Sequence, residues 1–83
     1  MKLKSIANNQ TEITFANGTQ IFFSYETPVA AYDATSGEWI RTSTKFSSAT
    51  SRHINKWLET IDANQVDQSR FERLILTCDK YAV

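Results

Sequence analysis

From Leu3 to about Thr44 the apolar positions recur with a period of two, and from Ile54 onward they recur with the period of an α-helix. The chain therefore reads as sheet first and helices second. The clearest sheet signal is Thr11–Ala16, then Asn17-Gly18, then Thr19–Tyr25. Asn-Gly accepts the positive φ angles of a two-residue type I′ turn, so a hairpin is predicted. A two-residue turn pairs Ala16 with Thr19. It thereby sets Phe15 against Gln20, Ile13 against Phe22 and Thr11 against Ser24 on one face, with Thr14 against Ile21 and Glu12 against Phe23 on the other.

Further strands are predicted on either side of this hairpin. Leu3–Ala7 is a short terminal strand closed by the turn residues Asn8-Asn9-Gln10. Thr27-Pro28 opens another, because proline restricts the preceding residue to extended geometry and has no N–H to offer a ladder. Asp33–Gly37 reads as a loop and Glu38–Thr44 as the returning strand, which brings Tyr32 and Trp39 close to a cross-strand pair.

The helical part begins after a run of hydroxyl residues, Thr42 to Ser51. Ser47 and Ser48 are N-cap candidates, with Thr50 and Ser51 as alternatives. Ile54, Trp57, Leu58 and Ile61 at i, i+3, i+4 and i+7 form one apolar face, and Arg52, Asn55, Lys56 and Glu59 fall on the other. Asp62–Asp67 reads as a connection to a second amphipathic helix. Phe71, Leu74, Ile75 and Cys78 form its inner face, and Ser69 with Glu72 matches a capping box. The expected fold is α+β, an antiparallel meander of four to five strands (1–46) with two C-terminal helices (47–83) packed on one face, all in a single domain.

Composition changes this picture at two points. A chain of 83 residues builds only a small core, so its five Phe, three Tyr and two Trp carry much of the burial. In the predicted register Ile21, Phe23 and Tyr25 share one side of the sheet and Phe22 lies on the other, so both faces are apolar. With helices covering only one of them, Ile21, Phe23 and Tyr25 become the candidate self-association face of a homodimer.

Nine basic and nine acidic residues balance, which argues against general attraction to nucleic acid or an anionic membrane. Yet Arg41, Lys45, Arg52 and Lys56 lie between Trp39 and Leu58 with no acid among them. Together with Trp39, Asn55 and the neighbouring hydroxyls they form a basic strip, the candidate partner-binding residues being Trp39, Arg41, Lys45, Arg52, Asn55 and Lys56.

Candidate chemistry is sparse. His53 is the one histidine, near Ser47, Ser48, Thr50 and Ser51, but a hydrolytic site also needs an orienting acid and an oxyanion hole, and a packing or hydrogen-bonding role is expected. The two glycines, Gly18 and Gly37, are each explained by a turn, which excludes phosphate-loop and dinucleotide fingerprints. Glu12, Glu26, Asp33 and Glu38 have no spacing that specifies an acid/base pair. The single Cys78 reads as a core residue without an activating base, and no Cys/His set suits a metal. No enzyme, cofactor or metal is expected. With no signal-peptide pattern and no long apolar run, the expected location is cytoplasmic, without membrane association.

Phe22–Ala30 (F-F-S-Y-E-T-P-V-A) and Thr50–Leu58 (T-S-R-H-I-N-K-W-L) resemble a widespread family of short, functionally uncharacterised proteins encoded by bacteriophages, prophages and plasmids. The shared pattern is S-Y-x-T-P-V-A, a second aromatic-containing strand, then T-S-[KR]-H-I-N-K-[FWY]-L. The resemblance spans about Ile13 to Leu58 and implies an accessory protein of a mobile element. Two classes of function compete. One is an inhibitor or modulator that docks on a host protein, host defence machinery included, favoured by the two-faced aromatic sheet and the neutral charge. The alternative is a nucleic-acid-associated regulator using the basic strip.

Overall fold

A computed structural model describes residues 2–79. Six strands form one sheet in the order of the chain: β1 (Lys2–Ala7), β2 (Gln10–Thr14), β3 (Gln20–Ser24), β4 (Thr27–Asp33), β5 (Glu38–Thr42) and β6 (Asn64–Val66). The first five make an antiparallel meander. Helix α1 (Ser48–Leu58) then crosses back so that β6 joins β5 in parallel, and α2 (Gln68–Cys78) follows. The α+β class and the meander are thus as expected. The strand β6 lies in the stretch read as a connection, and residues 80–83 of the expected helical part lie outside the described ones.

The β2–β3 hairpin departs from its predicted register by one residue. Ile13 faces Ile21, Glu12 faces Phe22 and Thr11 faces Phe23. The loop has three residues, Ala16-Asn17-Gly18: the Phe15 amide donates to the Thr19 carbonyl at 2.8 Å and the Gly18 amide to the Phe15 carbonyl at 3.0 Å. Gly18 alone takes a positive φ, of 93°. This is a turn followed by a glycine bulge, the other hairpin solution that a glycine permits. The slip flips the β2 side chains relative to β3, placing Ile13 and Phe15 in one layer with Ile21 and Phe23 and leaving Phe22 in the other.

The two helices cover opposite faces of the sheet, which corrects the expectation that both pack on one. Phe71, Leu74 and Cys78 of α2 close over Phe15, Ile21, Ala31 and Ile40. Ile54 and Leu58 of α1 close over Phe22, Val29 and Ala30. The short strand β6 is the cause: it runs along the sheet edge between the helices, and the chain leaves it on the far side. A second layer fits in so short a chain because a helix of 11 residues is about 16 Å long, matching the roughly 17 Å of a five-residue strand. Ile21 and Phe22 are both fully buried, as a doubly covered central strand requires.

Local chemistry sets the element ends. Of the N-cap candidates Ser47, Ser48, Thr50 and Ser51 it is Ser47 that caps α1, its hydroxyl accepting from the Thr50 amide at 3.1 Å. Helix α1 ends at Leu58 because Glu59 turns to a φ of 54°, which leaves Ile61 38% exposed rather than on the apolar face. The expected capping box of α2 does not form. Asp67 is the N-cap instead, with its carboxylate accepting from the Ser69 hydroxyl at 2.7 Å. That bond, with the backbone amides of the first turn, holds the Asp67 carboxyl below its ordinary range. At the other end of the sheet, Asp33 is buried. Burial raises its carboxyl pKa, but hydrogen bonds from Arg70 and Thr35 outweigh that and the net shift is downward.

Candidate partner-docking site

The two segments that carry the family resemblance meet in space. Ser24 ends β3, and a two-residue turn, Tyr25-Glu26, leads into β4 with Tyr25 at a φ of 59°. This backbone angle is unusual for a residue with a Cβ, and the Tyr25 amide is held in place by the Asn9 carbonyl at 2.6 Å. Thr50 and His53, one turn apart on α1, face Ser24. Ser24 Oγ is 2.8 Å from His53 Nδ1 and 3.1 Å from Thr50 Oγ1, and the Ser47 hydroxyl donates to Thr50 Oγ1 at 3.3 Å.

A single polarity satisfies all of these hydroxyls. Ser47 donates to Thr50, Thr50 to Ser24, and Ser24 to an Nδ1 that accepts, with the His53 proton on Nε2. Among the described residues no carboxylate hydrogen-bonds His53, and Ser24 is 2% exposed. The arrangement ties the helix to the sheet, in keeping with the hydrogen-bonding role expected of His53. The Tyr25 ring packs against the imidazole at a centroid distance of 5.9 Å.

Beside this chain of hydroxyls lies a hollow of ≈ 290 Å³, open to solvent, with Ser24, Val29 and Thr50 beneath it and Tyr25 and Phe46 at its rim. Tyr25 is 50% and Phe46 47% exposed. Two aromatic rings flank an apolar depression in which the Ser24, Ser47 and Thr50 hydroxyls are already paired among themselves. Over Ser24, Val29 and Thr50 such a surface accepts an apolar side chain from outside without stranding the Ser24 or Thr50 hydroxyl.

The expected basic strip is divided. Lys45, Arg52, Asn55 and Lys56 are exposed, whereas Trp39 and Arg41 are half-buried. Trp39 packs between Tyr32, at 4.7 Å and in the predicted cross-strand pair, and Trp57, at 5.8 Å. Arg41 donates to Asn55 Oδ1 at 3.1 Å, so these two members of the strip bond to each other. The expected self-association face is divided as well: Ile21 is fully buried beneath α2, Phe23 is half-buried, and Tyr25 is exposed in its turn. The carboxylates also separate. Glu12 accepts from Trp57 Nε1 at 2.8 Å, while Asp33 and Glu38 converge on Arg70 at 2.7 and 3.8 Å.

Sequence reasoning missed Phe46 and the meeting of Ser24 with His53. No periodicity marks Phe46, which sits in the link before α1. The Ser24–His53 contact had a signal, since both residues lie in the segments that define the resemblance. Among the described residues no group of His, Cys, Asp and Glu could hold a metal, and no helix is long and apolar enough to cross a membrane.

No curated protein and no solved structure matches the chain. A family model does, over residues 1–73, reaching past α1 and β6 into α2 and so taking in the Ser24–His53 contact and both aromatic rims of the hollow. The chain belongs to that family, DUF8033, described as a family of unknown function.

Proposed function

We propose that this chain is a small non-catalytic binding module of a phage or other mobile element that docks on a host protein as an inhibitor or modulator. The observation that supports the reading is the hollow between Tyr25 and Phe46. Its exposed aromatic rim and internally satisfied floor have the character of an interface anchor, into which a partner inserts an apolar side chain. The mobile-element setting rests on the resemblance of Phe22–Ala30 and Thr50–Leu58 to phage and plasmid proteins. The neutral net charge and the withdrawal of Trp39 and Arg41 from the basic strip weigh against the nucleic-acid alternative.

Affinity purification from host lysate, with and without nuclease, tests the proposal. A protein partner that survives nuclease and is lost with Phe46→Ser supports it. Loss of every partner after nuclease overturns it in favour of the nucleic-acid reading. Phe46 is exposed, so the variant is expected to keep the fold, which circular dichroism checks.

A further inference from the structure

The sheet has one long free edge. β1 pairs with β2 on one side and, among the described residues, with no strand on the other, and all six of its residues are exposed. The opposite edge, β6, has three residues. An edge strand with unpaired backbone groups is a template for another strand unless something on it discourages pairing. On β1 that element is lysine, and its placement is selective.

Leu3 stands opposite Ile13 and therefore points to the α2 side of the sheet, while Lys2 and Lys4 stand opposite Thr14 and Glu12 and point to the α1 side. Glu12 is already bonded to the Trp57 indole, and neither lysine forms an ion pair among the described residues. On the other side Leu3 is 68% exposed and borders a shallow hollow of ≈ 200 Å³ with Ile13, Phe23 and Tyr25. Over Lys2–Lys4 the edge is thus cationic on one face and apolar on the other, before Ser5 and the irregularity between Ser5 and Ala7 end the pattern.

We infer that β1 accepts an extended segment of a partner protein, in which acidic side chains facing Lys2 and Lys4 alternate with apolar side chains that lie over Leu3 and its hollow. The ladder supplies sequence-independent affinity, and the alternation supplies selection. A second copy of this chain is the wrong occupant. Antiparallel pairing of two β1 strands gathers the lysines of both on one face, and like charges across a ladder repel. This inference rests on the protein-binding reading, and its hollow shares Tyr25 with the one beside Phe46, but Phe46 lines only the first and Leu3 only the second, so each can fail without the other.

The test uses the full chain, isotopically labelled, and capped hexapeptides as probes. A peptide alternating glutamate with valine is expected to shift and protect the amides of Lys2–Ser5, and to bind about tenfold more tightly than one alternating lysine with valine. The double variant Lys2→Glu with Lys4→Glu is expected to reverse that preference, and Phe46→Ser to leave it unchanged. Equal binding of the two peptides, perturbation confined to other strands, or no response of the β1 amides at millimolar acidic peptide overturns the inference. So does a doubling of solution mass in the absence of peptide that is accompanied by protection of the Lys2–Ser5 amides. Loss of host-lysate partners with Phe46→Ser while peptide binding persists separates the two surfaces.

Discussion

Ser24 and His53, 29 residues apart, are joined by a 2.8 Å hydrogen bond that ties the end of β3 to the second turn of α1. Ser24 also meets Thr50, so one buried hydroxyl serves two partners on the helix. Ser24→Ala removes both bonds and leaves Thr50 Oγ1 and His53 Nδ1 to find others in a largely buried setting. A loss of about 2 kcal/mol is expected, read as a lower urea midpoint with unchanged slope. Paired with His53→Ala in a double-mutant cycle, the coupling is expected at about 1 kcal/mol, since the residues are in direct contact. Strictly additive losses would show that the contact contributes nothing.

Asp33 provides a pH-dependent contribution whose sign follows from its lowered carboxyl pKa. The group titrates below its ordinary value of 3.8 in the folded chain because bonds from Arg70 and Thr35 outweigh the cost of burial. Its stabilisation is therefore fully present above the unfolded-state pKa of about 4 and is lost as pH falls through the lower folded-state value. Asp33→Asn is expected to cost about 2 kcal/mol at pH 7 and to flatten the fall in stability below pH 4. Urea titrations at a series of pH values check both. An unaltered slope in the variant would assign the acid sensitivity to other carboxylates.

What the sequence displays reliably is chemistry confined to neighbours along the chain. The Ser47 cap, the Tyr32–Trp39 pair and the buried Ile54, Leu58 and Cys78 were legible because each depends on a cap residue, a turn or a period. Three features depended on more distant partners and were not. β6 has a single apolar residue, Val66, and exists through its parallel pairing with β5. The helices divide between the two faces because β6 runs along the edge between them, so missing that strand misplaced α2. The apolar character of both faces of β3 shows in the sequence, but what covers its second face does not: the cover is α2 and not a subunit, which removes the reason for expecting Ile21 at a dimer contact.

The exposed cations offer a sharper test of the basic strip than its composition does. Arg52 and Lys56 lie on the outer face of α1, and Arg41 is engaged with Asn55. Arg52→Glu with Lys56→Glu is expected to change stability by less than about 0.5 kcal/mol, as exposed substitutions do. Duplex and single-stranded oligonucleotides are expected to bind neither form at physiological salt. Salt-sensitive binding by the wild type that the charge reversal abolishes would restore the nucleic-acid reading.

The hairpin register yields a prediction that separates the turn from the core. The Asn17-Gly18 pair can serve a two-residue loop or the last two positions of a three-residue loop, and Phe15 lies opposite Thr19 through the three-residue form. Deletion of the exposed Ala16 converts the loop to Asn17-Gly18 alone while leaving Phe15 opposite Thr19, so every side chain keeps its face. The deletion is therefore expected to retain the fold, with cross-strand nuclear Overhauser contacts between the Ile13 and Ile21 backbones preserved. Gly18→Ala, by contrast, places a Cβ at a φ of 93° and is expected to cost about 1 kcal/mol. The added Cβ meets Ala34 at an ordinary 3.7 Å, so that cost is backbone strain and not a clash. A deletion variant that shifts Ile13 opposite Phe22 would show that the turn, and not the layer of Ile13, Phe15, Ile21 and Phe23 beneath α2, sets the register.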